Sequence, residues 1–240
     1  MDTSIIAQNP TRVKVYNVAM ISAAVLQIIA VISMTIDHIG YYLFPDCLIL
    51  RILGRIAFPI FAFMLVEGFK YTRSRPRYFA RLLVAALVAQ LVFFAFSKVF
   101  HYDYMHNVIF TFAFALVALI CAERGGFFLI AVPLLILAAG ALECEYGLYG
   151  TMMIVCLYYA GRIFSNNRYL RLMAQAVVII AMMSSQALLL AWDIQLFSLF
   201  AIVLIALYSG KKGRRLPRLF GYFYYPMHLA VLFLVKLLFF

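Results

Sequence analysis

Two ionisable residues stand side by side at the end of the first long apolar run, in Met34-Thr-Ile-Asp-His-Ile-Gly40. A carboxylate beside an imidazole can orient the ring and raise its basicity, which is what proton removal from an amine or hydroxyl requires. Adjacent helical residues point about 100° apart, so Asp37 and His38 need not touch. The dipeptide serves equally as an interfacial cap of the run. Arg51 and Arg55 follow in Arg51-Ile-Leu-Gly-Arg55. A spacing of four puts both guanidinium groups on one helical face, where the pair suits an anion such as a phosphate, a carboxylate or a thioester oxyanion. Near an interface such arginines can also snorkel, but Arg55 lies one turn deeper and needs a partner there. Gly54, between them, permits close approach of a helix or ligand.

Two further residues invite a role. Glu67 closes Phe58-Pro-Ile-Phe-Ala-Phe-Met-Leu-Val-Glu-Gly-Phe69, where it is available either to substrate or to a salt bridge with Lys70 or Arg73. His228 lies in Tyr224-Tyr-Pro-Met-His228, deep in the last apolar run, where an ionisable group is costly and a functional candidate by default. Pro226 would kink that helix and free a carbonyl nearby; a hydrogen-bonded core histidine is the alternative reading. The P-loop, GxSxG, HExxH and GxGxxG signatures of soluble enzymes do not occur, and the four cysteines show no metal-binding spacing.

The elements that must carry these residues are apolar. Of 240 residues 67% are hydrophobic and only 12% charged, with a mean hydropathy of +1.02. A soluble fold of this size could not cover so much apolar surface, so the lipid bilayer is the expected solvent. The net charge of +11 then reads as loop charge that sets topology, not as a nucleic-acid surface. The first apolar run is too long for a cleavable leader and lacks a small-residue cleavage site. Apolar runs predict an all-α polytopic bundle, one transmembrane domain over 1–240, with about nine spans near 15–36, 52–69, 82–99, 107–122, 127–142, 147–161, 172–191, 195–209 and 219–240.

With the N-terminus in the cytoplasm, 16 of the 20 basic residues fall in cytoplasmic segments: Arg12 and Lys14; Lys70, Arg73, Arg75, Arg77 and Arg81; Arg124; Arg162, Arg168 and Arg171; Lys211, Lys212, Arg214, Arg215 and Arg218. That bias predicts N-in and C-out, in a bacterial cytoplasmic (inner) membrane. The same assignment gathers Asp37, His38, Asp46, Arg51, His101, Asp103, His106, Asn107, Glu143, Glu145, Asp193 and Gln195 at the outer ends.

Read in order, these strings resemble the TraX family of membrane proteins. The resemblance rests on Met34–Gly40, on Arg51–Phe69, on Asn107-Val-Ile-Phe-Thr111, on Glu145-Tyr-Gly-Leu-Tyr-Gly150, on Tyr208-Ser-Gly-Lys-Lys212 and on Phe223-Tyr-Tyr-Pro-Met-His228. It implies an acyltransferase-like membrane protein, since a named member is linked to N-terminal acetylation of pilin in conjugation. The family is also distantly similar to membrane acetyltransferases that modify sugars. By that likeness His38 is the catalytic histidine and Arg51 and Arg55 are its anion-handling partners. Asn107, Glu145, Tyr146 and His228 match recurrent family positions.

The chain departs from the family pattern at Ala89-Gln90, where a carboxylate is frequent, and at Ser209-Gly210, where Asn-Gly is frequent. The expected catalytic set is therefore His38, Asp37, Arg51, Arg55, Glu145 and His228, with Asn107, Tyr146, His106 and Glu67 toward substrate and no metal. The expected donor is cytoplasmic acetyl-CoA and the expected acceptor an envelope group, pilin or glycan, at the outer face. Intramembrane histidines, carboxylates and arginines also build transporters or flippases for small anions or lipid headgroups, which is the second expectation. A non-catalytic scaffold is the third.

Overall fold

The computed structural model describes residues 21–103, 105–191, 193–214, 217 and 220–239. The start of the first predicted span and the basic residues Arg12, Lys14, Arg215 and Arg218 lie outside them. The elements are α1 (Ala23–Tyr42), α2 (Leu48–Gly54), α3 (Ala57–Tyr71), α4 (Arg75–Phe100), α5 (Val108–Arg124), α6 (Ala131–Ala141), α7 (Gly147–Ile163), α8 (Arg168–Leu190), α9 (Ala201–Ala206) and α10 (Phe220–Phe239). Tighter 3-10 turns at Gly126–Ile130 and Asp193–Phe200 lead into α6 and α9.

Local sequence sets several of these boundaries. The Ser22 hydroxyl accepts from the Val25 N–H, Asn107 caps Ile109, and Asn167 caps Tyr169 and Leu170. Pro76 sits in the first turn of α4, where its missing N–H costs no bond. Gly125, at φ 69°, ends α5.

Each predicted apolar run is largely helical over its described residues, but the count of nine spans is corrected. Five helices are long and apolar enough to cross a membrane: Ala23–Tyr42, Leu48–Tyr71, Arg75–Phe100, Arg168–Leu190 and Phe220–Phe239. Gly126–Ala141 and Asp193–Ala206 are shorter apolar helices. At 17 residues each, α5 and α7 reach only about 25 Å, against the ~30 Å of a bilayer core. An apolar run in sequence does not distinguish a lipid-facing span from a helix buried among other helices. Ten residues of α7 and eight of α5 are buried, so much of their apolar surface meets other helices.

Around them stand α3 on one face, α4 and α6 on others, and α8 behind α7, with α1 and α10 closing the side next to α3 and α4. Small buried residues line α4 (Ala85, Ala86, Ala89) and α5 (Ala113, Ala115, Ala118, Ala122), letting backbones approach closely. The outer faces carry Val84, Leu91, Leu188 and Leu189, all more than half exposed, as a lipid solvent permits.

One irregularity positions the site. The predicted span 52–69 begins earlier, at Leu48, and breaks between Gly54 and Ala57. Pro59 explains the break, since its ring displaces the carbonyl four residues back, at Arg55, and it offers no N–H. The Ser33 hydroxyl of α1 satisfies the freed backbone, donating within 2.7 Å of the Leu53 carbonyl and 3.1 Å of the Gly54 carbonyl. Gly54 faces Asp37 so closely that a Cβ there would collide with the aspartate side chain. The break and the glycine together bring α1 against α2 at the depth of Asp37.

Candidate functional site

Asp37 is gripped by both arginines. One carboxylate oxygen accepts from Arg51 Nη1 at 2.7 Å and the other from Arg55 Nη2. Arg55 is buried and its donors are engaged, with Nε to the Arg51 carbonyl at 3.1 Å and Nη1 to the Tyr146 hydroxyl and the Gln195 amide oxygen, each at 3.3 Å. Arg51 bonds through Nη1 alone, to the Asp37 carboxylate and carbonyl, and lies 4.8 Å from the Tyr41 ring centroid. The two arginines expected to act alike therefore differ. Arg55 is a buried brace, whereas Arg51 keeps Nε and Nη2 donors beside the cavity.

His38 is not oriented by a carboxylate, which corrects the sequence reading. Its Nδ1 lies 2.7 Å from His228 Nε2, and His228 Nδ1 lies 2.9 Å from the Tyr224 carbonyl. The two ring centroids are 5.0 Å apart with planes 3° from parallel. Once the 2.7 Å contact is taken away, that separation leaves only the two ring radii, so the imidazoles lie edge to edge in one plane and not face to face.

The carbonyl fixes the protons. A carbonyl can only accept, so His228 Nδ1 carries hydrogen; with both rings neutral, His228 Nε2 is an acceptor and His38 Nδ1 must donate to it. The lone pair of His38 is thereby left on Nε2. His228 thus has a partner on each side, as a core histidine would, and it holds the His38 ring at Nδ1.

Glu145 and Tyr146 reach the same place from the loop between α6 and α7. That loop is pinned by a short backbone bridge, in which His106 N–H donates to Glu143 O at 3.2 Å and Glu145 N–H to His106 O at 2.8 Å. Thr111 donates to the Glu145 carbonyl at 2.5 Å. Tyr146 takes a left-handed conformation, φ 60°, and stacks on Phe58 with ring centroids 3.8 Å apart. Glu145 Oε2 is buried without a hydrogen bond. Burial first, and the Asp37 carboxylate second, push its carboxyl up to about 7 against the pull of Arg55 and Arg51.

Three expected substrate residues lie elsewhere. Asn107 is fully buried and its side chain is committed, donating to the Ala86 and Gln90 oxygens and capping Ile109. Gln90, where the family often has a carboxylate, accepts from both the side chain and the backbone N–H of Asn107. His106 Nδ1 bonds the Leu142 carbonyl at 2.6 Å and shapes the loop. Glu67 pairs with Lys70 at 2.7 Å, 12 residues beyond Arg55 and so about 18 Å along the helix. Gln195 was missed as a site residue; its only sequence signal was its place among the outer-end polar residues.

The cavities follow this geometry. A cavity of about 580 Å³ is lined by Asp37, His38, Arg51, Arg55, Glu145 and Tyr146. A smaller cavity of about 40 Å³ shares Asp37, His38, Glu145 and Tyr146 with it and adds Met34, Phe61 and Tyr225. Those last three also line a largely apolar cavity of about 290 Å³ that extends to Gln27, Tyr78 and Gly221, toward the opposite end of the bundle. Among the described residues no three His, Cys, Asp or Glu side chains gather as metal ligands.

No solved structure matches the chain. A probable fimbrial assembly protein of Dichelobacter nodosus, FimC of serogroup H1, is 31% identical over 90% of this chain and 96% of its own length. An uncharacterised protein of Rickettsia prowazekii (strain Madrid E) is 39% identical over 36% of this chain and 29% of its own. The family profile described as TraX protein matches residues 22–236, which take in α1 and nearly all of α10 and every residue of the Asp37–His38 cluster. The chain belongs to the TraX family.

Proposed function

We propose that this chain is an acyltransferase of the bacterial inner membrane, moving an acetyl group from cytoplasmic acetyl-CoA to an amine or hydroxyl at the outer face. The observation that carries this reading is the His38–His228–Tyr224 chain, which leaves an unprotonated imidazole nitrogen beside an arginine with unengaged donors. The acceptor gives its proton to His38 Nε2 as its oxygen or nitrogen bonds to the thioester carbonyl carbon. Arg51 stabilises the oxyanion that develops, while Asp37 and Arg55 hold Arg51 in place. The C–S bond then breaks, the acetyl group stays on the acceptor, and His38 returns its proton to the departing thiolate.

The line of three cavities supports a route for a thin thioester arm from the opposite end to this point. The fimbrial name of the Dichelobacter relative favours a pilus subunit as acceptor, with an envelope glycan as the alternative. The N-in orientation expected from the loop charges would give the required sidedness. The test is thiol release from acetyl-CoA by the purified protein in detergent, with a pilin N-terminal peptide or an envelope glycan as acceptor. His38→Ala should lower the rate about 10²–10⁴-fold while donor binding survives. His38→Gln should not rescue, because an amide cannot take the proton. Near-normal turnover in His38→Ala would remove the base from the scheme. Acceptor-independent movement of an anion across vesicles would favour a transporter.

A further inference from the structure

At the other end of α3 a cavity of about 470 Å³ opens between α3, α7, α8 and the Tyr208–Gly210 turn. It shares none of the residues that line the His38 cavities. Five cationic side chains border it, Lys70, Arg75, Arg162, Arg168 and Arg171, against two carboxylates. Glu67 is already paired with Lys70, and Glu123 with Arg75. Arg168 donates to the Tyr208 carbonyl at 3.0 Å. The side chains of Arg162 and Arg171 enter no ion pair or hydrogen bond among the described residues.

A second observation points to a ligand. Gln175 is 2% exposed and lines the cavity, yet its Nε2 makes no hydrogen bond; Arg75 Nε is likewise buried and unpartnered. A Cβ on Gly161 would come within 3.1 Å of Lys70 Nζ and 3.5 Å of Gln175 Nε2, so these two donors converge on a bare stretch of backbone. Arg75 Nε can only donate and the Gln175 amide carries a donor, so an acceptor would serve both. A charge bias across the membrane accounts for basic residues at this end. It does not account for a buried amide without a partner beside a basic cavity.

We propose that this cavity binds a phosphate-bearing anion, with the Arg162 and Arg171 guanidinium groups and the Gln175 amide as its donors. Planar guanidinium groups match phosphate oxygens bidentately. Two sources present this chemistry: a soluble nucleotide phosphate and the headgroup of an anionic phospholipid. The proposal does not depend on acyl transfer, because binding is read without turnover.

The full-length protein in phosphatidylcholine nanodiscs is titrated calorimetrically with inorganic pyrophosphate and with adenosine 3′,5′-bisphosphate. In parallel, nanodiscs containing phosphatidylglycerol are compared for thermal stability and for lipid retained through delipidation. Saturable binding of either soluble probe identifies a soluble phosphate. Selective stabilisation and retention of phosphatidylglycerol, without soluble binding, identifies a lipid headgroup. In either case the doubly substituted Arg162→Gln, Arg171→Gln protein should bind about tenfold or more weakly. Gln175→Leu, which changes no charge, should weaken binding by a smaller factor and covers the case in which the double variant does not insert. No response of the wild-type protein in either arm, or responses unchanged in the variants, overturns the proposal.

Discussion

The cluster around Asp37 and the cavity beside Lys70 are both made from arginines and carboxylates, and they handle charge in opposite ways. Around Asp37 a single carboxylate holds two guanidinium groups, one of them only 3% exposed, and Tyr146 and Gln195 complete the brace. Beside Lys70 each carboxylate has one partially exposed partner, and cations are left over. A buried ion network of the first kind fixes geometry, because removing any member leaves an uncompensated charge in a low dielectric. An open excess of donors, as in the second, fixes little in the protein and suits a charge brought from outside. The difference separates a cluster fixed by its own charges from one whose donors are left over.

Asp37→Asn gives the largest effect expected from this contrast. It removes the carboxylate that pairs with both Arg51 and Arg55, so the loss should approach the 3–5 kcal/mol typical of a broken buried pair, roughly. Thermal unfolding in detergent measures it, and a loss below about 1 kcal/mol would show that the cluster is no more demanding than a surface pair.

Glu145 sharpens the contrast through pH. Its carboxyl stands at about 7, above the ordinary 4.5, so the fold favours the protonated form. Between those values the native chain holds more protons than the unfolded one. Stability is therefore full at and below the lower value, falls as pH rises through the window, and levels off above it. The loss is at most on the order of 3 kcal/mol. Melting temperature in the same detergent at about pH 5 and about pH 8 should drop for the wild type, and Glu145→Gln should flatten the difference. A wild-type protein equally stable at both values would place Glu145 in water.

The sequence carried the parts of this arrangement that depend on residue type, and lost those that depend on depth and partner. The helical class, the i, i+4 arginines and the place of His228 in the last apolar run were all legible. The gathering of Glu145 and Tyr146 with Arg55 rested on family likeness, since no spacing links residues some 90 positions apart. The pairing of Asp37 with the arginines and not with His38 was hidden, because adjacent helical side chains diverge and only packing decides which neighbour each meets. The partners of Asn107 were hidden for a similar reason. A buried asparagine at a helix start is a cap until its partners are known, and here Ala86, Gln90 and Ile109 take its polar atoms. The span count failed because hydropathy registers burial in protein and burial in lipid alike.

The smallest effect belongs to Glu67→Gln, the counterpart of Asp37→Asn in the open cavity. The Glu67–Lys70 pair spans 2.7 Å at a spacing of three residues, with side chains 17% and 28% exposed. Such a pair contributes about 0.2–1 kcal/mol, since water and salt screen it and both side chains lose freedom in forming it. Stability in detergent should therefore change by less than about 1 kcal/mol. The same substitution releases Lys70, whose Nζ lies on the Gly161 side of the cavity near Gln175, and leaves the cavity one charge more positive. Affinity for an added phosphate anion should then rise, not fall, and the rise should shrink with ionic strength. A stability loss as large as that of Asp37→Asn would mean that the two ends of α3 are held by charge in the same way, and the distinction between them would be gone.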